Sequence, residues 1–157
     1  MNDMHDWPTW KAAYADYGIF EGDPRGLSLQ FSTDGVNPFS VNKISYSMWP
    51  IMVTVLNWPK TCRNNFENVM LVGIIPSNIK EEPKSVDPYV EVLVDELLGL
   101  FDTPFYDGYK EEEFNFRVNL HNYVLDYPGL NKVFCCSGSG ALQGCMWCEE
   151  RGESFTK

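Results

Sequence analysis

Residues 26–34 read Gly-Leu-Ser-Leu-Gln-Phe-Ser-Thr-Asp, with Leu27, Leu29 and Phe31 alternating against Ser28, Gln30 and Ser32. A period of two is the pattern of a strand with one apolar face, and Asp34-Gly35 closes it as a turn. This strand decides the fold, because the later elements are placed against it. Residues 44–56 are rich in β-branched and aromatic side chains, and residues 68–75 (NVMLVGII) form a second short apolar run; both read as strands. Between them, Trp58-Pro59 and Asn64-Asn65 are loop residues, so the pair is expected to form an antiparallel hairpin with a long connection.

After an exposed, charged connection over 77–86, the chain offers its clearest helix. Asp87 is expected as its N-cap and Pro88 as its first helical residue, with Val90, Leu93, Val94, Leu97 and Phe101 on one face. Residues 101–113 (FDTPFYDGYKEEE) read as an acidic and aromatic loop. Phe114, Phe116, Val118 and Leu120 then alternate with Asn115, Arg117, Asn119 and His121, which predicts a half-buried strand running on towards Asp126. Upstream, Trp7, Trp10, Tyr14, Tyr17 and Phe20 are spaced for a short amphipathic helix over 6–22. From Pro128 onward a flexible loop, Ser137 to Gly140, leads to Cys145 and Cys148. The expected fold class is therefore α/β, with a mixed sheet in strand-strand-strand-helix-strand order. Its divisions are a helical flank (1–22), a core (23–130) and a cysteine-rich tail (131–157).

Composition narrows the functions. A chain of 157 residues with 44% hydrophobic and 22% charged side chains has enough apolar material for one domain. Its 12 basic against 22 acidic residues, a net charge of −10, are a poor electrostatic footprint for holding a phosphate backbone unaided, so a nucleic-acid role needs metal ions or further basic segments. The start of the chain has no apolar run, and the most apolar stretch, 48–56, is far shorter than a membrane-spanning helix, so an intracellular, soluble protein is expected. Five cysteines, Cys62, Cys135, Cys136, Cys145 and Cys148, point to reduced thiols or metal ligands rather than a disulfide framework.

The chemistry rests on two carboxylates, Asp34 at the end of the first strand and Asp126 just after the last. Neighbouring strands would bring the two together, where carboxylate oxygens bind hard divalent cations. Two such ions can hold the attacking and leaving oxygens of a phosphoryl displacement. Taken alone, Asp34 before Gly35 and Asp126 before Tyr127-Pro128 read equally well as turn residues. His121 lies on the polar side of its strand within reach of Asp126, although a hydrogen-bonded structural role suits it as well. Asn37 and Asn42 stand near Asp34, either orienting metal-bound water or serving turn chemistry. Glu111, Glu112 and Glu113 read as a solvated charge run, and the Trp7, Trp10, Trp49 and Trp58 set as largely core.

An ordered set of words adds to this reading. Asp23-Pro24-Arg25, TDGVNPF (33–39), YSMWP (46–50), IIPSN (74–78), VDELLGL (94–100), FNFRVNL (114–120), LDYPGL (125–130) and GCMWCEE (144–150) follow one another along nearly the whole chain. The set resembles the catalytic region of CACTA-type (En/Spm-like) transposases. That resemblance implies a ribonuclease H-like fold, here incomplete, in which three acidic residues hold Mg2+ or Mn2+. It places the first two acids on Asp34 and Asp126. The third belongs on a helix farther along, and Glu149, Glu150 and Glu153 lie too close to the Cys-x-x-Cys to stand in for it.

Full-length relatives of that kind cleave and join DNA at transposon ends in the nucleus. The resemblance therefore implies DNA as a partner, held weakly by this acidic chain, and a fragment inactive by itself. The alternative is a non-catalytic, domesticated or remnant module for interaction or zinc binding. Cys145 and Cys148 have the spacing of half a zinc site, with Cys135 and Cys136 as further ligands, or else are reduced thiols of a tail.

Overall fold

The computed structural model describes residues 3–15, 20, 23–39, 46–78, 83, 85–138, 140–148 and 150–153. A four-stranded sheet carries the fold. Its members are β1 (Leu27–Thr33), β2 (Trp49–Val55), β3 (Val69–Ile75) and β6 (Val118–Val124), in the order β3-β2-β1-β6. The β1–β2 and β2–β3 pairs are antiparallel, as successive strands joined by turns allow, whereas β6 lies parallel to β1. A parallel neighbour needs a long crossover. It is supplied by helix α2 (Asp87–Leu100) and a separate antiparallel hairpin, β4 (Thr103–Asp107) with β5 (Glu112–Phe116). Two shorter helices, α1 (Pro8–Ala15) and α3 (Tyr127–Val133), complete the mixed α and β architecture.

The alternation in β1 has the predicted phase, but both of its faces are covered. Leu29 and Phe31 are buried beneath α2, while Ser28 on the other side is 0% exposed. Ser28 donates from Oγ to Asn119 Oδ1 at 2.8 Å, and its backbone N–H donates to Asn57 Oδ1 at 2.8 Å. Around this polar seam Trp10 of α1 stacks on Tyr14 and tilts against His121 of β6, with ring centroids 5.0 and 4.9 Å apart. The N-terminal helix thus lies on the sheet face opposite α2.

On the α2 side two buried groups merge. Phe31, Trp49, Ile51, Ile75 and Val86 form one, packed by Val90 and Leu93 of α2 and by Tyr123 and Leu125. Leu29, Val53, Val55 and Val118 form the other, packed by Leu93, Leu97 and Leu100. The helical face in contact is therefore Val90, Leu93, Leu97 and Leu100. Val94 and Phe101, expected on it, are 39% and 42% exposed. Asp87 is the first helical residue rather than the cap: Val86 occupies that position without a side-chain cap bond, and Asp87 N–H donates to Ser85 Oγ at 3.1 Å. Pro88 sits in the first turn, where its missing N–H costs nothing.

Three further expectations are corrected. Residues 101–113 are largely strand and tight turn, because β4 pairs with β5 from Thr103↔Phe116 to Asp107↔Glu112. The single strand expected over 114–120 is two, separated at Arg117, with one half in the hairpin and the other in the main sheet. The loop expected from Pro128 begins as α3, whose N-cap is Asp126.

One side chain ties the hairpin to the start of β1. Arg25 donates from Nη1 to Asp107 Oδ2 at 3.1 Å and to Glu112 Oε1 at 3.0 Å, binds Asp23 through Nε and Nη2, and lies 4.0 Å over the Phe114 ring. The Arg25 guanidinium, with its backbone N–H, lowers the Asp23 carboxyl to about 2. A backbone N–H from Lys110, then Arg25, holds Asp107 below its usual range. A carboxylate whose pKa is depressed in the folded state adds stability above its unfolded pKa of about 3.9 and loses it as pH falls through the folded value. The hairpin is therefore expected to loosen between about pH 4 and pH 2, seen as rising hydrogen exchange over residues 103–116. Arg25→Gln should flatten that step, and an unchanged acid transition in the variant would refute the assignment.

Candidate functional site

Parallel pairing of β1 with β6 sets the height of the two singled-out carboxylates. The last paired residues are Ser32 and Val124, and Asp34 and Asp126 each follow two residues later. Adjacent strands lie about 4.8 Å apart, so the two backbones leave the same end of the sheet side by side. This shared height depends on an irregularity. Leu29 pairs with Leu120 but Gln30 with Asn122, so His121 is an extra, bulged residue that resets the phase of β6. Tyr123 and Leu125 consequently face the α2 side, where they pack on the core. His121 is directed to the opposite face, against Trp10, and burial lowers its pKa.

Both aspartates are exposed. Asp126 Oδ1 accepts the backbone N–H of Gly129 at 2.7 Å and so caps α3. After Asp34 the chain is tied to the segment before β2 by the bridge Val36↔Met48. Gly35 is pressed against the next strand: a Cβ there would lie 2.8 Å from Ser47 Oγ and 2.9 Å from Trp49 Nε1. Beneath these residues the polar bookkeeping is incomplete. Thr33, 2% exposed, and Trp49, also 2% exposed, each bury a polar atom (Oγ1 and Nε1) with no hydrogen-bond partner among the described residues. Buried unpaired groups are uncommon and tend to mark functional sites. Sequence alone gave no signal for either, since Thr33 reads as a strand residue and Trp49 as core.

The remaining candidates are scattered. Asn37 Oδ1 accepts the Phe39 N–H at 3.0 Å, which is turn chemistry, and Asn42 lies outside the described residues. Glu112 belongs to the Arg25 cluster, and Glu111 adopts φ 56° in the hairpin turn. Trp10 and Trp49 are buried, while Trp7 and Trp58 are 47% and 40% exposed. Cys145 receives the Trp147 N–H at 3.4 Å, and this bond, followed by one from the Cys148 thiol, lowers its pKa towards the thiolate form that binds metals. Cys135 points instead at the Asp87 carboxylate, 3.4 Å away, which raises its pKa. Cys136 Sγ lies 3.3 Å from the Phe134 carbonyl. Among the described residues no three His, Cys, Asp or Glu side chains gather closely enough to hold a metal ion. No helix among them is long and apolar enough to cross a membrane.

Comparison with known proteins bears on the family alone. The family model described as "Transposase family tnp2" matches residues 1–156. No curated protein and no solved structure matches significantly.

Proposed function

This chain belongs to the transposase family tnp2, and from that premise we propose that it carries part of a CACTA-type, ribonuclease H-like catalytic core whose Asp34 and Asp126 hold divalent cations for phosphoryl transfer on DNA. The observation that supports this most is the equal height of the two carboxylates, each two residues beyond the Ser32↔Val124 pair on neighbouring parallel strands. Ligand sites of open sheets form at the C-terminal ends of parallel strands, where the chains diverge. The strand order β3-β2-β1-β6, with α2 in the crossover, accords with that fold.

The residues present fit Mg2+ or Mn2+, which take oxygen donors. Asp126 Oδ1 is engaged by Gly129, so Oδ2 would meet the ion, with either oxygen of Asp34 beside it. When bound, the ions supply activation of the attacking oxygen and neutralise the leaving one. This chain's own part is to hold and space them. With two carboxylates the site binds weakly and the chain by itself is inactive on DNA, which its net charge of −10 also repels. The same reading gives Cys145 and Cys148 as half of a zinc site, with the Trp147 N–H favouring the thiolate, and a nuclear location.

Titration of the full chain with Mn2+, followed by water proton relaxation, tests the proposal. Asp34→Asn and Asp126→Asn keep shape and remove one negative charge each, and each is expected to weaken binding by at least about tenfold, or about 1.4 kcal/mol. Equal binding by wild type and both variants would defeat the metal site.

A further inference from the structure

Residue 129 has no backbone reason to be glycine. It lies in the first turn of α3 with an ordinary helical φ, where glycine costs about 0.5–1 kcal/mol relative to alanine. What it lacks is room. A Cβ on residue 129 would stand 2.8 Å from Asp126 Oδ1 and 3.6 Å from both the Thr33 carbonyl oxygen and Leu125 Cβ. Residue 129 is buried, wedged between the end of β1 and the carboxylate that follows β6.

We infer that Gly129 is a positioning residue for Asp126: its N–H holds Oδ1 at 2.7 Å, and its missing side chain leaves the space that oxygen occupies. This rests on the reading of Asp126 as a cation ligand. The contact links strand register to site geometry, because the same residue abuts the Thr33 carbonyl, one position before Asp34. An added methyl would clash only with Oδ1, which ends a rotatable side chain; the Thr33 backbone oxygen, at 3.6 Å, would be at ordinary contact distance. The carboxylate, rather than the sheet, is the part that moves. Gly129→Ala should therefore fold, with Asp126 turned away from its present direction.

Three measurements test this on the full chain. The amide proton of residue 129 should be better protected from hydrogen exchange in wild type than in Asp126→Ala; equal protection in the two would overturn the inference without any metal present. Gly129→Ala should bind Mn2+ about tenfold more weakly than wild type while keeping its near-ultraviolet circular dichroism. The double variant Gly129→Ala/Asp126→Asn should bind no more weakly than Asp126→Asn alone, since Gly129 acts only through that carboxylate. Affinity of Gly129→Ala within twofold of wild type, or multiplied losses in the double variant, would overturn the positioning role and leave the site standing. Absence of Mn2+ binding by wild type would instead remove the site, and with it the ligand on which the inference rests.

Discussion

Trp49→Ala is expected to cost about 3–5 kcal/mol of folding stability, the range for removing a large buried aromatic side chain. Trp49 is 2% exposed and stands where β2 begins, among Phe31, Ile51, Ile75 and Val86. Its indole also organises surroundings that belong to three other elements. Gly35 packs against Nε1, and Lys132 of α3 lies 5.1 Å over the ring, its ammonium donating to the Pro83 carbonyl at 3.1 Å. Removing the ring therefore opens a cavity and frees the segment after Asp34 together with α3. A domain of this size is stable by about 5–15 kcal/mol, so the loss is a large share of the total. Trp147→Ala, at a position 73% exposed, should stay within about 0.5 kcal/mol of wild type. Urea denaturation of both variants checks the contrast, and a loss below about 1 kcal/mol for Trp49→Ala would show that Trp49 does not anchor the core.

Much of this architecture was legible from periodicity, because burial writes itself into alternation where one partner surface dominates. Leu29 and Phe31 under α2, and Leu93 and Leu97 on it, followed directly from spacing. The hairpin β4–β5 did not. Pro104 and the run Glu111 to Glu113 argue for a loop, yet the strands are joined by backbone pairing and by Arg25, a residue far away in sequence. The division at Arg117 is equally silent. Phe114, Phe116, Val118 and Leu120 keep one phase throughout, and only the choice of partner strand changes between them. Helix α3 was missed because Pro128 and Gly129 are poor helix formers; it begins at the Asp126 cap and is held by Leu125, Tyr123 and Phe134 packing nearby. For the site, sequence marked Asp34 and Asp126 as residues at strand ends. Their equal height needed the parallel register and the bulge at His121, for which a single sequence carries no period.

The strand β3 poses the opposite problem, since its sequence VMLVGII is apolar throughout and gives no indication of which residues matter. Ile75→Ala should cost about 2–5 kcal/mol, whereas Leu71→Ala should stay within about 0.5 kcal/mol. Ile75 is 0% exposed, paired with Trp49 and packed beside Val86 just before α2 begins. Leu71, on the same strand, is 60% exposed. The difference arises from the face each residue occupies: Ile75 pairs with Trp49 on the core side, whereas Leu71 pairs with Met52 on the face away from α2. Its first turns close over the Ile75 end, but along Met70, Val72 and Gly73 the helix stands away from the sheet and leaves a groove of about 640 Å3 walled by Tyr89, Val92 and Glu96. What turns Leu71 away is the bulge at Val72, where pairing passes from Ile51↔Gly73 to Met52↔Leu71 and leaves one residue over. Bulges twist an edge strand and blunt its tendency to pair with other chains, which suits an apolar strand at the border of the sheet. Chemical denaturation of the two alanine variants decides the matter. Equal losses at positions 71 and 75 would mean that Leu71 is buried on the face away from α2 or that the strand does not change phase at Val72.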